Sequence, residues 1–91
     1  MFNGAEIKAL ENLLEAASEN TALGSRVAHF LRFWWHARNR NNFSTYDLWA
    51  LDEGLARDAI TVFVAIVSNK RVYPETLGYQ KEFERIIDLH C

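Results

Sequence analysis

The chain has 91 residues, 49% of them hydrophobic, with 12 acidic and 10 basic side chains and a net charge of −2. A chain this short builds one core at most and buries little more than about 60% of its unfolded surface, so residues 1–91 read as one domain. The acidic balance excludes a protein that coats nucleic acid throughout, and the lone Cys91 excludes a disulfide framework. The longest apolar run, 59–67 with Thr61 inside it, is about half of what a membrane-spanning helix needs. MFNGAEIKAL lacks the basic and then apolar opening of a secretory signal, so the expected location is cytoplasmic, without a membrane.

Over residues 5–18, Ile7, Leu10, Leu13, Leu14 and Ala17 recur at helical spacing, with Glu11, Glu15 and Glu19 on the opposite side. This predicts an amphipathic surface helix. Glu19 falls at the end that the helix dipole disfavours for an acid. Residues 20–25 interrupt the pattern; Thr21 and Ser25 are both candidate caps for the next helix, and Gly24 leaves the choice open.

Residues 26–40, RVAHFLRFWWHARNR, hold the densest aromatic and the densest basic cluster together. At about 100° per residue, Val27, Phe30, Leu31, Phe33, Trp34, Trp35 and Ala37 cover roughly 220° of a helix, which predicts a largely buried element. His29, Arg32, His36, Asn39 and Arg40 fall on the remaining strip. No acid lies between Glu19 and Asp47, whereas Arg26, Arg32, Arg38 and Arg40 do. The forked donors of Arg32 and Arg40, with His29 and His36 in line, suit carboxylates or phosphates and make this strip the candidate binding site. The competing expectation is neutralisation inside the fold by Glu11, Glu15, Asp58 or Glu82. Trp34 and Trp35 point about 100° apart and cannot face one neighbour, which makes Trp35 a candidate interface aromatic.

Residues 39–42, NRNN, end that helix. Ser44 with Asp47 three residues later approaches a capping box, and Leu48, Trp49 and Leu51 give a short helix an apolar side. Residues 60–67, ITVFVAIV, are β-branched enough for a buried strand, but only the short stretch around Val72 could pair with it, so residues 52–68 are predicted helical. The expected apolar face is Leu55, Ala56, Ala59, Ile60, Phe63, Ile66 and Val67, with Arg57, Asp58, Thr61 and Ser68 towards water. Pro74 makes 71–78 a connector in which Tyr73 is extended. A last helix over 79–89 turns Tyr79, Phe83, Ile86 and Ile87 inward, and His90 is expected to fray. The result is an all-α single-domain bundle of four main helices plus one short helix, centred on the helices of residues 26–40 and 52–68.

Several short motifs run through this pattern: Phe30-Leu31-x-x-Trp34-Trp35, Asp47-Leu48-Trp49-x-x-Asp52, Thr61-Val62-Phe63, and Tyr73-Pro74-x-Thr76-Leu77-Gly78-Tyr79 with Phe83 downstream. Together they resemble a family of short uncharacterised proteobacterial proteins often carried on plasmids and other mobile elements. The resemblance spans about 27–87, omits the first helix, and implies no activity and no residue roles.

His29 and His36 are separated by about 10.5 Å along a helix, too far for one zinc with ligands at roughly 2.0–2.1 Å, so no metal site is expected. No nucleophile–base pair and no phosphate-cradling glycine motif is present, so neither catalytic residues nor a cofactor is expected and the chain does not read as an enzyme. The expected function is a protein-interaction module, an accessory factor of a mobile element, that meets an unidentified acidic protein through the strip. Homodimerisation is a separate expectation from the small size and excess apolar surface. Two alternatives are nucleic-acid binding through the strip with Lys70 and Arg71, and a small-molecule pocket lined by aromatic side chains.

Overall fold

A computed structural model describes residues 1–35 and 44–90. Among them lie α1 (Gly4–Ala17), α2 (Ala22–Trp35), α3 (Thr45–Trp49), α4 (Glu53–Ser68) and α5 (Gln80–His90), with a 3-10 turn at Pro74–Leu77 between the last two. No strand occurs among the described residues, and 60–67 is helical as expected.

The helix starts are set by local chemistry. Asn3 Oδ1 accepts from the Glu6 backbone N–H and Glu6 Oε1 accepts from that of Asn3, both at 2.8 Å, a reciprocal cap that opens α1. Thr21, not Ser25, caps α2: its Oγ1 accepts from the Gly24 N–H at 2.9 Å. Asp52 Oδ1 does the same for Leu55 at the start of α4, at 2.8 Å. Gly24 is required by a close approach, because a Cβ there would run into the Glu19 and Ala16 carbonyl oxygens at the end of α1.

α1 lies at the centre of the bundle, against α2, α4 and α5, while α2 packs on α1, α3 and α5. The expectation that the helices of 26–40 and 52–68 form the centre is therefore corrected: α4 is an outer layer whose main support is α1. The reason is the size of the side chains at the contact. α4 packs chiefly on α1, and the residues it buries are Ala59, Val62 and Ala65, two of those three being alanines. Small residues on facing helices let the axes approach closely. The bulky Ile60, Phe63, Val64 and Val67 are left outside. Ile60, Phe63 and Val67 were expected inside, and Asp58, expected towards water, instead accepts from Asn12 Nδ2 of α1 at 3.2 Å.

Trp34 gathers four parts of the chain. Its ring stacks on Phe2 at 5.6 Å between centroids and 9° between planes, and meets the Phe83 ring of α5 edge-on at 5.8 Å. Its Nε1–H donates to the Val72 carbonyl. At the other end of the bundle, His90 Nε2 lies 2.8 Å from the Ala17 carbonyl oxygen. That oxygen only accepts, so Nε2 carries the proton and His90 closes the end of α1 rather than fraying.

Candidate interaction surfaces

The basic edge of α2 is met by one acid. Asp47, in the first turn of α3, is 1% exposed and receives three groups: Arg26 Nη1 at 3.0 Å, His29 Nδ1 at 3.2 Å, and the Ser44 backbone N–H at 2.8 Å. Burial pushes the Asp47 carboxyl up, but the hydrogen bonds from Arg26, the Ser44 N–H and His29, with the His29 charge, hold it below the usual carboxylate value. The capping-box spacing of Ser44 and Asp47 was legible in the sequence. The further use of that carboxylate across the helix pair was not, and none of Glu11, Glu15, Asp58 or Glu82 takes this role.

The strip residues have separate fates. His29 is committed to Asp47. Arg32, one turn on, is half-buried, and its Nε has no hydrogen-bond partner among the described residues. His36 and Arg40 lie outside the described residues. The structure thus joins His29 to Arg26, a residue outside the predicted strip, and describes no continuous line of four cations. Trp35 is half-buried between elements: its ring meets Phe83 edge-on at 5.7 Å and its Nε1–H donates to Glu75 Oε2 at 3.1 Å. The tryptophan that faces solvent is Trp49, 74% exposed and edge-on to exposed Tyr46 at 5.6 Å.

The larger feature is apolar. On α4, Ile60, Phe63, Val64 and Val67 are 63%, 46%, 53% and 58% exposed. Their spacing, i, i+3, i+4 and i+7, gathers them into one stripe along the helix. Beside the stripe, Phe30, Leu48, Ala59, Ile60 and Phe63 line an open cleft of about 220 Å³. Every lining residue is apolar, so the cleft offers no side-chain polar group to orient a small ligand, as the pocket expectation requires. Charge flanks the stripe at its two ends: Glu53 and Arg57 pair at 2.6 Å in the first turns, and Lys70 and Arg71 follow the helix. The sequence signal for this surface was present in a helix apolar nearly all round, but spacing alone did not say which arc faced out. Among the described residues no His, Cys, Asp and Glu side chains group to hold a metal, and no helix is long and apolar enough to cross a membrane.

Fold and surface together define a small all-α domain with one neutralised ionic node and one uncovered helix face. The chain belongs to a family of unknown function, DUF7673, whose model matches residues 7–90 and so takes in most of α1 as well as the motifs from Phe30 to Phe83. No curated protein and no solved structure matches it.

Proposed function

We propose that the protein is an interaction module that docks an apolar helix of a protein partner on the outer face of α4. The observation that carries this reading is the exposed stripe of Ile60, Phe63, Val64 and Val67 beside its apolar cleft. Covering apolar surface is worth about 25 cal/mol per Å², and contiguous exposed patches on soluble domains mark interaction sites. The basic edge supports the acidic-partner expectation less well, because Arg26 and His29 already serve Asp47. The accessory role on a mobile element rests on the motif resemblance alone and belongs to the same proposal.

A photoreactive benzophenone amino acid at position 64, with the same group at position 84 on exposed α5 surface as control, tests the reading in the producing cell. Adducts at 64 and none at 84 are expected; none at 64, or equal yields at both, would overturn it.

A further inference from the structure

We infer that the helix received by α4 is α4 of a second copy, packed antiparallel across a two-fold axis level with Val62. This rests on the docking surface proposed above and names its occupant. A two-fold interface uses one patch twice, so the patch has to complement itself. Antiparallel α4 helices do so. With the axis level with Val62, Ile60 of one copy faces Val64 of the other, and Val67 covers the stem of Arg57.

The charges at the ends select this direction. Glu53, in the first turn of α4 and paired there with Arg57, lies at the end where the second copy's α4 runs out into Lys70 and Arg71, and the juxtaposition is repeated at the other end. A parallel pair would set Glu53 against Glu53 and the Lys70–Arg71 cluster against itself, and like charges in juxtaposition oppose association. The cleft lined by Phe30, Leu48, Ala59, Ile60 and Phe63 lies at the level that the axis assigns to Phe63 of the second copy.

The area is sufficient. The exposed parts of Leu48, Ile60, Phe63, Val64 and Val67 sum to roughly 450 Å², and interfaces about 60% apolar then imply about 750 Å² per copy, close to the roughly 800 Å² that each partner of a stable complex buries.

Light scattering and sedimentation on the purified chain from about 1 to 200 μM provide the test. The expected result is a concentration-dependent rise towards twice the 10.5 kDa chain mass. Val64→Glu, which buries an unpaired charge only in the complex, is expected to remain at the single-chain mass with unchanged circular dichroism. Direction is read separately in a Cys91→Ser background with diamide as the oxidant: Arg57→Cys mixed with Val67→Cys forms a mixed disulfide, whereas Arg57→Cys alone does not. A single-chain mass at every concentration, an undisturbed Val64→Glu dimer, or Arg57→Cys self-crosslinking would overturn the inference. A monomer that still gives adducts at position 64 removes the second copy and keeps the docking surface; a monomer without such adducts removes both.

Discussion

Trp34 donates its indole Nε1–H to the backbone carbonyl of Val72 at 3.0 Å, so the middle of the fold is tied to the connector leaving α4 by a side chain that is otherwise buried in apolar contacts. Trp34→Phe keeps most of the packing and deletes the donor, leaving that carbonyl without it. Chemical denaturation is expected to give a loss of about 1–2 kcal/mol with an unchanged slope against denaturant. Trp34→Ala should cost about 3–5 kcal/mol, because the contacts with Phe2 and Phe83 disappear too. Equal losses in the two variants would show that the hydrogen bond, not the ring, dominates.

Asp47 predicts the acid limb of stability. Its carboxyl titrates lower in the fold than the ordinary aspartate value of 3.8 that it has in the unfolded chain. A lowered folded-state pKa stabilises the fold above the unfolded value, and that contribution is lost as pH falls through 4 towards the folded value. Asp47→Asn should therefore lose roughly 2–3 kcal/mol at pH 7, since Arg26 and His29 keep their positions without a charge to meet, and should show a shallower decline below pH 4. Parallel acid limbs in the two proteins would show that other carboxylates govern acid unfolding.

Gly24→Ala sets two effects against each other. Alanine is the better helix former by about 1 kcal/mol, but a Cβ at this point meets the Glu19 and Ala16 carbonyl oxygens, which are backbone and yield only if α1 and α2 separate. Overpacking of this kind costs about 1–3 kcal/mol, so a net loss in melting temperature is expected, and a gain would mean that the helix pair opens at little cost.

The rotation of α4 is tested by a pair of substitutions on neighbouring residues. Val64→Glu faces solvent and should change monomer stability by no more than about 0.5 kcal/mol when measured at a concentration too low for association. Ala65→Leu, fully buried against α1, should cost about 1–3 kcal/mol. The reverse ranking would place the stripe inside.

Much of the architecture was legible because it is local. The apolar period of residues 5–18 and the Pro74 break each depend on a few neighbouring residues, and the helical reading of 60–67 needed only the want of a second strand-like stretch of comparable length anywhere in the sequence. The orientation of α4 was not legible, since a helix apolar nearly all round gives periodicity no polar face to read, and the choice of Ala59 and Ala65 as the buried side is made by how closely α1 can approach. The role of Asp47 was half legible: its place in a cap follows from Ser44, whereas its pairing with Arg26 and His29 joins residues 21 and 18 positions away. The surroundings of Trp35 and Trp49 were not legible for a similar reason: Glu75 and Phe83 reach Trp35 from the far end of the chain, and among the described residues Trp49, expected on the apolar side of its short helix, stays 74% exposed.

The central position of α1 has a consequence for how the protein is made. Leu10, Leu13 and Ala17 leave the ribosome before α4 and α5, which cover part of that helix, have been synthesised. A nascent chain that ends before Glu53 can pair α1 with α2 but presents the remaining apolar flank of α1 to solvent. Domains complete their cores only when all the contributing segments are available, and unfinished ones expose surface that chaperones and proteases recognise. For this fold that interval lasts until α5 is made, and premature termination within α4 should yield fragments that are degraded rather than smaller folded proteins.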